Sequence, residues 1–211
     1  MMLLKSLVLF GIFFGFNIPA QSDRKEPWDC EEAVWNQEPD LTDGIFSATI
    51  STTCWVRLQK EDGIPWLFQK LQKEYERAEK YEIHKGPLVL QEGPFTVLNY
   101  DLTDKVNEDG SDLAIRQDIK LKSDQKSELI YLTRSKGITA SGTAAYLRFV
   151  SFETEVKASK NRYQIHLKNN VEIEKPWFAL GFLFKPMGAS ITKDKFEKAR
   201  EKLIRYLLPE S

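Results

Sequence analysis

RYQIHLKNNVEIEKPWFALGFLFKPMGASITKDKFEKAREKLIRYLL, residues 162–208, changes its apolar period partway along. From Arg162 to Ile173, Tyr163, Ile165 and Leu167 alternate with Gln164, His166 and Lys168, the two-residue period of a strand with one dry face. From Lys193 to Leu208 the apolar set becomes Phe196, Ala199, Leu203, Ile204 and Leu207, a single stripe against Lys195, Glu197, Arg200, Glu201 and Arg205. That spacing predicts an amphipathic terminal helix. Thr192 is its expected N-cap, Ile191 packs on Phe196 as a hydrophobic staple, and Pro209 stops it. Between strand and helix, Trp177, Phe178, Leu180, Phe182, Leu183 and Phe184 form a dense apolar cluster, expected to be a buried connection beneath the helix, with a membrane contact or a gate to a cavity as the alternatives.

Working back along the chain, strand patterns fill residues 83–90, 95–102, 113–122, 128–135 and 145–158, divided by turn signals such as Gln91-Glu92-Gly93-Pro94 and Asn107-Glu108-Asp109-Gly110. In 113–122, Leu113, Ile115, Ile119 and Leu121 share one face and Arg116, Asp118, Lys120 and Lys122 the other. Short connections imply antiparallel neighbours, hence a meander with one apolar face. Before it, Ile64, Leu67, Phe68, Leu71 and Tyr75 recur at helical steps after Gly63, with Pro65 suited to a first turn. Earlier still, Phe46 to Leu58 alternates as a long first strand.

The N-terminus has a different character. Lys5 precedes an uncharged apolar run from Leu7 to Phe16, and Ala20-Gln21-Ser22 offers small residues for cleavage. Residues 1–22 therefore read as a secretory signal peptide, too short in its apolar part for a transmembrane anchor. The expected location is outside the cytoplasm, periplasmic or secreted. Residues 23–44 form an acidic lead segment and 45–211 one domain. In an oxidising compartment Cys30 and Cys54 are expected to close a disulfide. After residue 22 there remain 29 basic and 31 acidic side chains, a balance without the clustered basic face that nucleic acid requires. A monomer is expected.

The order strand, helix, six strands, long terminal helix resembles the helix-grip fold of START-like domains, the superfamily of birch-pollen-type allergens, polyketide cyclase and dehydrase-like proteins and lipid-transfer START domains. The resemblance covers most of residues 45–208 and is carried by topology and by the passage from Arg162–Ile173 through Lys175-Pro176-Trp177-Phe178 and Phe184-Lys185-Pro186-Met187 into the helix. It implies an α+β fold with a seven-stranded curved antiparallel sheet wrapped around the C-terminal helix. It also implies a cavity between them for a hydrophobic small molecule or lipid. Leu98, Tyr100, Gln117, Tyr131, Tyr163 and Ile165 on strands, with Phe182, Phe184 and Leu203 near or on the helix, either line such a cavity or fill a packed core, as aromatic and branched residues at alternating spacing usually do. Gln117, on the dry phase, either orients a ligand, bonds to backbone or water, or marks a bulge. A lipocalin-like barrel is the rival fold but needs a further strand.

Signals of catalysis are sparse. His84 and His166 fall at surface positions. Glu153 and Glu155 share a strand face, as a pair with one raised pKa or as an exposed patch. Gly137 to Gly142 lacks a Walker lysine, and two cysteines with scattered histidines lack zinc spacing, so no catalytic residue, cofactor or metal is assigned. The expected function is an exported carrier of a hydrophobic molecule. The alternatives are a cyclase or dehydrase-like enzyme using the same cavity, and an interaction module with a closed core.

Overall fold

The computed structural model describes residues 28–57, 63–77, 81–105, 112–122, 128–135, 146–159, 162–177 and 179–207. The signal-peptide reading, the segment Gly137 to Gly142 and Phe178 lie outside them. In chain order the elements are β1 (Trp28–Cys30), β2 (Val34–Thr42), β3 (Ile45–Val56), α1 (Ile64–Arg77), β4 (Tyr81–Glu92), β5 (Phe95–Lys105), β6 (Asp112–Lys122), β7 (Glu128–Ser135), β8 (Leu147–Ser159), β9 (Arg162–Glu174) and α2 (Gly181–Leu207).

The fold is α+β, a curved antiparallel sheet with a long C-terminal helix, the expected helix-grip architecture. Strands β4 to β9 form the expected meander, and β3 closes the order by pairing with β9 from Ile45 opposite Glu174 to Val56 opposite Tyr163. The sheet has nine strands rather than seven, because the lead segment supplies two. β1 and β2 both pair with β3 on its free edge. The β2–β3 turn is Asp43-Gly44, both with positive φ (52° and 77°), a conformation that Asp and Gly adopt at low cost and that suits a tight hairpin. Lys175 N–H donates to the Gly44 carbonyl at 2.7 Å, tying the end of β9 to this turn.

Period-two alternation sends one face of β3, β6, β8 and β9 inward, whereas β4 at the far edge is exposed from Glu82 to Glu92. Phe46, Ala48, Ile50, Cys54 and Val56 of β3 are buried, and their neighbours Ile165, Leu167 and Val171 of β9 are buried with them. Cys30 lies opposite Cys54 in register, and the two are joined as expected. Closing this loop is worth about 3 kcal/mol in the chain-entropy account.

Two helices cover the inner face. α1 packs on β6 and β7 through a stripe that includes Ile64, Leu67 and Leu71; α2 packs on β2, β3 and β9. α2 starts twelve residues before the expected Lys193, so Thr192 is a buried residue of its interior and not its N-cap. The Leu180 carbonyl accepts from Leu183 and Phe184 N–H groups, which places the helix start there. Pro186 sits in the second turn, where the bond it omits would have gone to the carbonyl of the exposed Phe182. The apolar cluster before the helix is also not a buried connection: Trp177 is 89% exposed and Phe182 74%, with Leu180 and Leu183 exposed beside them. Among the described residues of the cluster Phe184 alone turns inward, where its ring meets Phe46 edge-on at 6.3 Å.

Candidate functional site

The concave face of the sheet is where inward side chains from many strands converge. Register places Asn169, Phe152, Thr133, Gln117 and Tyr100 in one lateral row across β9, β8, β7, β6 and β5. The adjacent row is Thr52, Leu167, Thr154, Tyr131, Ile119 and Leu98, from β3 to β5. Both rows lie within an apolar surface, yet they hold a belt of polar atoms. α1 covers β6 and β7, α2 covers β2, β3 and β9, and Phe152 of β8, two residues from Thr154, meets Phe196 of α2 with ring centroids 6.2 Å apart.

Most of the belt is satisfied internally. Gln117 is fully buried, donates to the Leu132 carbonyl at 2.9 Å and accepts a hydrogen bond from the Thr133 hydroxyl. Thr52 donates to the Glu31 carbonyl at 2.7 Å. Two atoms differ: Thr154 Oγ1 and Asn169 Oδ1 are buried and have no hydrogen-bond partner among the described residues. Thr154 is 2% exposed. Because Thr154 faces Leu167 and Asn169 is two residues further along β9, the two are diagonal neighbours, a separation of about 7 Å between Cα atoms in a sheet. A buried polar atom left unpaired costs about 1–3 kcal/mol. Thr154 offers a hydroxyl that donates and accepts, and Asn169 Oδ1 accepts.

The structure brings some of the expected lining residues together. Leu98, Tyr100 and Ile165 are buried in the main apolar cluster, with Tyr131, Tyr163 and Leu203 partly buried against it and Gln117 within its polar belt. Phe184 belongs to a second cluster with Phe46, Ala48 and Val171. Phe182 points to solvent, because it lies on the outer side of the first helical turn. Thr154 and Asn169 were missed. Their inward phase is readable from alternation, but their mutual position depends on the β8–β9 register.

The remaining acid and base groups lie elsewhere. Glu153 and Glu155 sit on the outer face of β8, partly buried. Partial burial pushes the Glu155 carboxyl up, but hydrogen bonds with Lys157 and Glu128 and the charges of Lys157 and His166 outweigh it, so its pKa is lowered, not raised. His84 is exposed and within 2.7 Å of the Thr103 hydroxyl; His166 is on the outer face near Thr53. Among the described residues no group of His, Cys, Asp or Glu has metal-binding geometry, and no helix is long and apolar enough to cross a membrane.

No protein-family model matches the chain, and no curated protein matches its sequence. Solved structures do resemble it. The Zhui aromatase/cyclase from a Streptomyces species is 15% identical, covering 76% of this chain and 91% of that one at a TM-score of 0.41. Ara h 8.0201 is 17% identical over 78% and 95% of the two chains, TM-score 0.38. A STAR-related lipid transfer protein from Xanthomonas axonopodis is 9% identical over 85% and 99%, TM-score 0.35.

Proposed function

We propose that the protein is an exported carrier or binding protein for a hydrophobic small molecule or lipid bearing a hydroxyl or similar polar group, held between the concave face of the sheet and α2. The observation that carries this reading is the pair Thr154 Oγ1 and Asn169 Oδ1, buried without partners among the described residues in the polar belt of the inner face. A ligand hydroxyl accepts from Thr154 and donates to Asn169, which recovers the cost of leaving both unpaired. Leu98, Tyr100, Tyr131, Tyr163, Ile165 and Leu203 then supply the apolar surroundings, with Gln117 and Thr133 fixing the belt beside them. Export is supported by the signal-like leader and by a disulfide of the kind that persists in oxidising compartments.

The test is native mass spectrometry of the protein recovered after secretion, followed by organic extraction. The reading expects a bound amphipathic molecule that is lost in the Asn169→Leu variant. A wild-type protein that is always empty and takes up no apolar fluorescent probe contradicts it.

A further inference from the structure

β4 ends the sheet, with no strand beyond it among the described residues. It is built onto β5, while the helices pack on other strands. Leu88, Val89 and Leu90 follow one another along it, all exposed, Val89 at 67%. Natural sheet edges are usually protected by charge, so three successive apolar residues on an open strand call for a cover. The backbone says of what kind. Glu92 and Phe95 flank the two-residue turn Gly93-Pro94, in which Gly93 has a positive φ of 56°. The residues that close such a turn form a hydrogen-bonded pair, and alternation makes Leu90 with Val97 and Leu88 with Asn99 hydrogen-bonded pairs too. Val89 and Gln91 therefore direct their N–H and C=O groups away from β5, and the chemistry that matches such a row is another strand.

We infer that this strand is β4 of a second copy, paired antiparallel about a two-fold axis at Val89. Such an axis must set one residue of β4 opposite itself, because hydrogen-bonded and non-hydrogen-bonded pairs alternate. At Val89 it sets Leu88 opposite Leu90 of the partner subunit, and Leu90 opposite the partner's Leu88. An axis at Leu90 sets Leu88 against the partner's Glu92 instead, an apolar side chain against a carboxylate. Register with Asp101, Asn99, Val97 and Phe95 puts Lys85, Leu88, Leu90 and Glu92 on one face, the outer one. With the axis at Val89, the partner's Glu92 falls opposite Gly86 and beside Lys85, so opposite charges close both ends of the apolar stretch. Pro87 has no N–H to offer and limits the ladder to a few residues. A foreign strand gains the backbone bonds but not this match of side chains. The pairing is isologous and closes at two copies, in contrast to the monomer expected from sequence, and it does not rest on the carrier reading.

Sedimentation velocity of the purified protein over about 1–500 μM tests this. A monomer at the dilute end is expected to become a dimer at the concentrated end. Val89→Lys, which sets two ammonium groups against each other on the axis, should weaken the dimer at least tenfold and leave the thermal midpoint measured at the dilute end unchanged. The register has its own readout. Cys30 and Cys54 are joined, so a cysteine introduced on β4 is the reactive thiol. Val89→Cys should cross-link two copies at least tenfold faster than Gln91→Cys, since paired Cα atoms about 5.5 Å apart suit a disulfide and Gln91 lies far from the partner's Gln91. A protein that stays monomeric throughout overturns the inference, whatever else proves to bind the edge. So does a dimer that Val89→Lys leaves intact, or cross-linking through Gln91→Cys as fast as through Val89→Cys.

Discussion

Lys70 and Tyr206 join α1 to the last turn of α2 by hydrogen bonds that run in both directions. The Lys70 ammonium donates to the Tyr206 carbonyl at 2.5 Å, and the Tyr206 hydroxyl donates to the Lys70 carbonyl at 3.2 Å. The same ammonium lies 4.5 Å from the Tyr206 ring centroid and 4.8 Å from that of Trp66. A cation at the negative end of a helix is favourable, and here it also satisfies one of the terminal carbonyls. Lys70→Met is expected to cost about 1–2 kcal/mol and Tyr206→Phe about 1 kcal/mol. Urea unfolding of both single variants and the double variant checks this: the double variant should cost less than the sum of the two.

The cross-strand disulfide anchors β1 to β3. Cys30→Ser with Cys54→Ser is expected to lower stability by about 3 kcal/mol, read as a fall in urea midpoint with little change in the secondary-structure signal of the remaining strands. Reduction of the wild type should reproduce the loss.

Gly188 lies in α2 against Phe46, where an added Cβ comes within 3.0 to 3.3 Å of the ring. Alanine gains about 1 kcal/mol of helix propensity, but Phe46 is fully buried and held by Phe184, so it has no room to yield. Overpacking of this kind costs about 1–3 kcal/mol, so Gly188→Ala should be net destabilising by about 1 kcal/mol in thermal unfolding.

Glu155 gives a pH dependence of known sign. Its folded pKa lies below the ordinary 4.5, so its contribution to stability is present above that value and lost as pH falls through the folded pKa. Glu155→Gln should flatten the fall of the urea midpoint below pH 4.5 and leave its slope between pH 6 and 8 unchanged.

Much of the fold was legible because the long strands keep strict alternation and the second half of α2 keeps a clean stripe. β1 and β2 were not, for local reasons. β1 has three residues, and β2 changes register between Trp35 and Gln37 and again before Asp40, which destroys the period. Asp43-Gly44, a hairpin signal, was the available clue to β2. The first half of α2 was hidden by Pro186 and Gly188, which read as breakers; one is tolerated near the helix start and the other is required by Phe46. Apolar density in Trp177 to Leu183 gave no sign of exposure, since hydrophobicity alone does not say which side of a helix start faces water. The Thr154–Asn169 pair arises from the register between strands, which no local pattern encodes.

Thr154→Val removes an unpaired buried hydroxyl at nearly constant volume. It is therefore expected to stabilise the empty protein by about 1 kcal/mol in urea unfolding while weakening its hold on a polar ligand.

The most direct measurement compares a long-chain alcohol with the alkane of equal length as competitors for an apolar fluorescent probe, on wild type and on Thr154→Val with Asn169→Leu. The wild type should bind the alcohol at least tenfold more tightly than the alkane. The double variant should lose that difference while keeping the alkane. Equal affinity for both on the wild type, or displacement of the probe by neither, would contradict a concave face built to hold an amphipathic molecule.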